Sequence, residues 1–156
     1  MTANYLAKLG IALNSIYLAC IILFAVGITY NHIQLISHDY PLDYNEGGML
    51  AITATVEQGG SPYSLQSQPA RMSVYPLLYN ILVAPLSRVF GATLELHRLV
   101  AALFILACCA IIFYVCRKEL VARTESFAAA TLLYAGLLYY STPIASPNSL
   151  GLFLFL

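Results

Sequence analysis

Two carboxylates three residues apart, Asp43 and Glu46, lie in the stretch HDYPLDYNEGG, which holds three of the chain's seven acidic residues. Carboxylates at that spacing can share acid–base work: one takes a proton from an incoming hydroxyl while the other supports it or binds a divalent cation. A carboxylate held partly out of water can also have its proton affinity raised into a useful range. The two would share one face of a helix whose first turn begins there. The same charges could instead cap that helix, since negative charge is stabilising at a helix N-terminus.

The elements that must position these acids are apolar. The chain is 60% hydrophobic and only 9% charged, where soluble domains carry roughly a quarter charged residues. Its seven basic residues balance its seven acidic ones, so no basic field recruits nucleic acid. Composition therefore predicts an all-α, multi-pass membrane protein in which the position of each charge is informative.

No formal charge occurs between Lys8 and Asp39, and residues 9–30, LGIALNSIYLACIILFAVGITY, meet the requirement of about 20 apolar residues for a span. A signal peptide would have an apolar region of only about 7 to 15 residues, so an uncleaved transmembrane helix is expected. Cys20 follows a bulky Tyr17 and lies inside a continuing apolar run, which disfavours lipidation there. Residues 98–116 form a second span and residues 127–142 a third, ended by Pro143 and Pro147. GLFLFL, within residues 148–156, reads as the start of a further span, so the chain is expected to be the N-terminal part of a longer protein.

Residues 31–97 then form a first external loop. Within it, Met49, Ile52 and Val56 recur at helical spacing and predict a short helix resting on the membrane, ended by Gly59, Gly60 and Pro62. The segment MSVYPLLYNILVAPLSRVFG is short for a crossing and carries Pro76 and Pro85, so it predicts a second interfacial helix. Loop charge supports this: if the segment does not cross, Lys8, Arg117, Lys118 and Arg123 share the cytoplasmic side, against Arg71, Arg88 and Arg98 outside.

The order of these pieces resembles a family. A span, then DYNEG (residues 43–47), QGGSPY (58–63), YPLLYNILVAP (75–85), FG (90–91) and HRL (97–99) is similar to the N-terminal part of polyprenyl-phosphate-sugar-dependent glycosyltransferases of the GT-C class, which include protein O-mannosyltransferases and the lipid A aminoarabinose transferase. The resemblance covers nearly the whole chain and lies in order and spacing. It implies an inverting transfer of a sugar from a polyprenyl-phosphate-linked donor to an extracytoplasmic acceptor, at the outer face of the cell membrane. Glu46 and Asp43 would be the acidic residues of the first external loop, one acting as base. Donor phosphate leaves as an anion, so the protein need supply only a base and cations. Arg71 is the cation best placed for the phosphate, and Tyr44, Tyr63 and Tyr75 could stack on a sugar or form an aromatic belt. Relatives carry Arg-Pro-Asp at the outer end of the third span where this chain has Ser146, Pro147 and Asn148, and an amide cannot act as a carboxylate.

Other candidates carry less. Cys20, Cys108, Cys109 and Cys116 sit in apolar runs without metal-ligand spacing, which suits packing. His38 could assist the acidic cluster. On this topology, cysteines introduced beside Arg117 will react with an impermeant thiol reagent only from the cytoplasmic side; labelling from outside the cell would invert the arrangement.

Overall fold

The computed structural model describes residues 2–64, 76–119, 122–140 and 147–156. These residues form six helices: α1 (Thr2–Ile36), α2 (Tyr44–Glu57), α3 (Leu78–Phe90), α4 (Leu94–Lys118), α5 (Arg123–Tyr140) and α6 (Asn148–Phe155). No strand occurs among them.

Two helices, α1 and α4, are long and apolar enough to cross a membrane. α1 has 35 residues, a length of about 52 Å at 1.5 Å per residue. Its large apolar side chains, Leu6, Leu9, Ile16, Leu23 and Val26 among them, are exposed around the helix, an arrangement that suits a lipid solvent rather than water. α5 has 18 residues and opens on Arg123 and Glu125, so length and composition alone do not make it a third span. α6 has eight residues.

α4 is the central helix. Its Val100 packs with Tyr79 and Val83 of α3 and Leu150 of α6, bordered by Phe104 and Phe153. Further along, Ile105 and Cys109 meet Tyr134 of α5, and Ile28 of α1 borders that cluster. α1 and α5 are also tied by a buried 2.6 Å hydrogen bond between His32 Nδ1 and the Tyr134 hydroxyl. Thr93 caps α4 by accepting from Leu96 N at 3.2 Å, while Arg117 and Lys118 complement the helix dipole at its other end.

The loop pieces differ from expectation in one respect. Met49 and Ile52 of α2 are 2% and 5% exposed and pack inward, with Leu77 against them. The apolar stripe that predicted contact with the membrane is used on α3 instead, because a neighbouring helix offers the same burial together with hydrogen-bond partners. α3 itself has 13 residues, about 20 Å, too short for a hydrocarbon core of about 30 Å, as a non-crossing segment requires.

Gly59 and Gly60 end α2 as expected. Gly59 adopts φ +76° and donates to Val56 O, while Gly60 N donates to Thr55 O, both at 2.9 Å; this paired closure satisfies the last carbonyls of the helix. A Cβ on Gly60 would also press on the Thr55 carbonyl oxygen at 3.2 Å. Gly59→Ala should therefore lower stability by about 1–2 kcal/mol and Gly59→Asn by less, because asparagine tolerates the left-handed region; denaturation midpoints of the two variants in detergent measure the difference.

Candidate functional site

The opening acids are brought to the junction of α1, α2 and α4, and they are treated differently there. Asp43 is the N-cap of α2, with extended backbone. Its Oδ1 accepts from Asn45 N at 2.7 Å, and its side chain remains half-buried at the surface. Glu46 stands three residues on, in the first turn, and is fully buried. The spacing that predicted a shared face thus resolves into one acid that caps and one that points inward.

Glu46 is engaged by Arg98 of α4. Arg98 Nε donates to Glu46 Oε1 at 2.9 Å and Nη2 donates to Oε2 at 2.7 Å, a bidentate pair with both side chains 0% exposed. Leu42 N adds a third donor to Oε2, at 2.7 Å. The rest of the guanidinium turns to backbone carbonyls. Nη1 donates to Leu35 O at 3.1 Å and His38 O at 2.6 Å, with a longer contact to Ile36 O at 3.4 Å, and Nη2 donates to Tyr40 O at 2.8 Å. Leu35 and Ile36 belong to the last turn of α1, which has no basic residue of its own. Arg98 therefore supplies a C-terminal cap to α1 from another helix.

Electrostatics favour this placement on both sides. The cation lies at the negative end of α1 and the anion in the first turn of α2, where each meets the dipole end of opposite sign. Arg98 lies near the N-terminus of its own helix, where a cation is disfavoured, and Glu95 in the first turn of α4 offsets it.

A neutral polar seam continues from this pair. His97 Nδ1 lies 2.9 Å from the Thr93 carbonyl, which can only accept. The proton is thus on Nδ1, and Nε2 accepts from the Thr53 hydroxyl at 2.8 Å. Asn80 Nδ2 in turn donates to Thr53 Oγ1 at 2.9 Å and to Met49 O at 3.2 Å, and the Tyr79 hydroxyl donates to His97 O at 2.6 Å. Burial, and then the negative charge of Glu46, push the Tyr79 phenol well above its ordinary range, so it stays a neutral donor. Arg88 caps α2 as Arg98 caps α1, its Nη2 donating to Glu57 O at 2.5 Å.

The remaining sequence candidates are scattered. Arg71 and Tyr75 lie outside the described residues, as does the side chain of Tyr44. Tyr63 is 50% exposed. Asn148 opens α6 and lines an apolar cavity of ≈540 Å³ with Pro76, Leu78 and Tyr79, apart from Asp43 and Glu46. His38 contributes its carbonyl to Arg98 and its ring to an edge-on contact with Tyr40. Asp39, the third acid of the opening stretch, lines a small polar hollow with Ser37, His38 and Glu95. No group of three or more metal-ligating side chains is found among the described residues.

Arg98 is the residue that sequence reasoning undervalued, as one of three basic residues counted for the outer side. Its signal was present: a cation at the edge of an apolar span requires a partner, and the nearest acidic cluster upstream is the one it meets. Removing one member of a buried pair costs about 3–5 kcal/mol, so Glu46→Gln and Arg98→Lys should each lower the unfolding midpoint well beyond Asp43→Asn. In a double-mutant cycle the effects at positions 46 and 98 should be strongly non-additive; additive losses would mean that the pair does not form. No known protein family, curated protein or solved structure matches this chain.

Proposed function

We propose that the chain is the N-terminal part of a GT-C-like membrane glycosyltransferase, moving a sugar with inversion from a polyprenyl-phosphate donor to an acceptor outside the cytoplasm. On this reading α1, α4 and α5 are full spans and α6 begins a fourth, in the cell membrane. The observation that carries the proposal is the convergence of its motifs. Glu46 of DYNEG, Tyr79 and Asn80 of YPLLYN, and His97 and Arg98 of HRL, spread over more than fifty residues, form one bonded unit.

The two acids then divide their roles. Glu46 accepts hydrogen bonds from Arg98 and from Leu42 N and is sealed from solvent, so an acceptor hydroxyl reaches it only if the pair breaks. Asp43, half-buried one turn away, is the carboxylate that can approach an acceptor and take its proton, with Glu46 and Arg98 holding the turn in place. Arg71, Tyr44, Tyr63, Tyr75 and Asn148 remain the proposed contacts of the donor, and a divalent cation at Asp43 is compatible with the chemistry.

A second reading, a non-catalytic membrane protein that binds a lipid-linked precursor or partner helices, draws on Asn148, an amide where relatives carry an acid. The two separate in one assay. In the complete reading frame, Asp43→Asn should reduce sugar transfer from a polyprenyl-phosphate donor by at least about 10²-fold, the contribution of a positioned base, while expression and the unfolding midpoint stay near the parent values. Undiminished transfer would remove Asp43 from the chemistry, and no transfer by the parent would favour the binding protein.

A further inference from the structure

The outward face of α3 is more apolar than its inward face. Leu78, Ile81, Leu82, Leu86, Val89 and Phe90 are all exposed, from 39% at Leu86 to 75% at Val89. They stand at i, i+3, i+4, i+8, i+11 and i+12 from Leu78, the spacing of a single helical stripe. The opposite face, Tyr79, Asn80, Val83, Ala84 and Ser87, is buried and carries the side-chain hydrogen bonds. Arg88, the one charged residue within α3, is turned back to the carbonyl of Glu57.

We propose that α3 is the element of the loop immersed in the outer leaflet, and that α2 rides on its inner side, out of contact with hydrocarbon. The occupant of the stripe is lipid because the surface is continuous with apolar side chains of the bundle at both ends. Phe90 shares a hollow with Leu96 and Leu99 of α4, with Thr93 and Glu95 at its polar edge, and Leu78 shares one with Leu154 and Phe155 of α6. The depth is set by packing: Tyr79 and Val83 join the same core cluster as Val100 of α4 and Leu150 of α6, which holds α3 level with the first turns of a candidate span. α2 lacks such a face. Met49 and Ile52 turn inward, Leu50 and Val56 are half-buried, and Gly47 and Gly48 are exposed. A short helix with one apolar face and no free charge on it suits the acyl boundary. The inference rests on the membrane part of the reading above and is independent of sugar transfer.

The chain contains no tryptophan, so single tryptophans report without background. The protein carrying Ile81→Trp, Leu86→Trp, Gly48→Trp or Leu23→Trp is reconstituted into phosphatidylcholine vesicles with brominated acyl chains. Ile81→Trp and Leu86→Trp should lose most of their emission to the bromine, as should Leu23→Trp on α1, while Gly48→Trp keeps its emission and is quenched by aqueous acrylamide. Quenching at position 23 but not at 81 and 86 would overturn the proposal and leave the spans intact, whether acrylamide reaches those sites or a second protein surface shields them. Loss of quenching at position 23 would remove the membrane reading itself. Should the α3 variants fail to fold, Ile81→Cys gives the same answer, since fast reaction with a water-soluble maleimide excludes immersion.

Discussion

A guanidinium withdrawn from water must find acceptors for all of its N–H groups, and the way Arg98 finds them fixes the relative positions of three helices. Two of its directions end on Glu46 of α2 and the others on carbonyls of the α1 terminus and the loop that follows. None of these acceptors is replaceable by solvent, because both charges are fully buried. An ion pair in such surroundings adds little net stability over an apolar replacement, but breaking it leaves an uncompensated charge. Its effect is on geometry: α2 cannot slide or rotate on the bundle without orphaning either the carboxylate or the carbonyls of α1.

The neutral seam beside it extends the same constraint to α3. Thr53, Asn80 and His97 each come from a different helix, and their donors and acceptors match in only one direction, set by the Thr93 carbonyl that the His97 ring must donate to. Apolar clusters around Val100 and around Met49 supply the burial, which is tolerant of small shifts. The polar seam is not, so it selects one packing among those the apolar surfaces would permit.

This division bears on any chemistry at the site. A base must be held firmly yet remain reachable, and one carboxylate cannot meet both demands when it is also the counter-ion of a buried arginine. On the function proposed above, Glu46 in the buried pair and Asp43 at the cap divide these two demands between them. The supports of Asp43 lie on helices rather than on a long loop, which limits how far the acid can wander.

Much of this could be read from residue types. Charge-free runs gave α1 and α4 because a bilayer tolerates little else over that length, and Gly59 and Gly60 marked the end of α2 because few residues accept the left-handed turn that closes it. The prolines and short apolar run marked α3 as a short helix, and it has 13 residues. The acids at positions 43 and 46 stood out because charge is rare in such a chain. Sequence alone could not say what covers the α2 stripe: Met49 and Ile52 have the same hydropathy whether a membrane or a helix lies against them, and only the packing placed them inside, with Leu77 against them. Nor could it assign Arg98, fifty-two residues from Glu46, since the pairing depends on the α1 terminus, the α2 N-terminus and the first turns of α4 meeting at one point, and that meeting is a property of the tertiary fold.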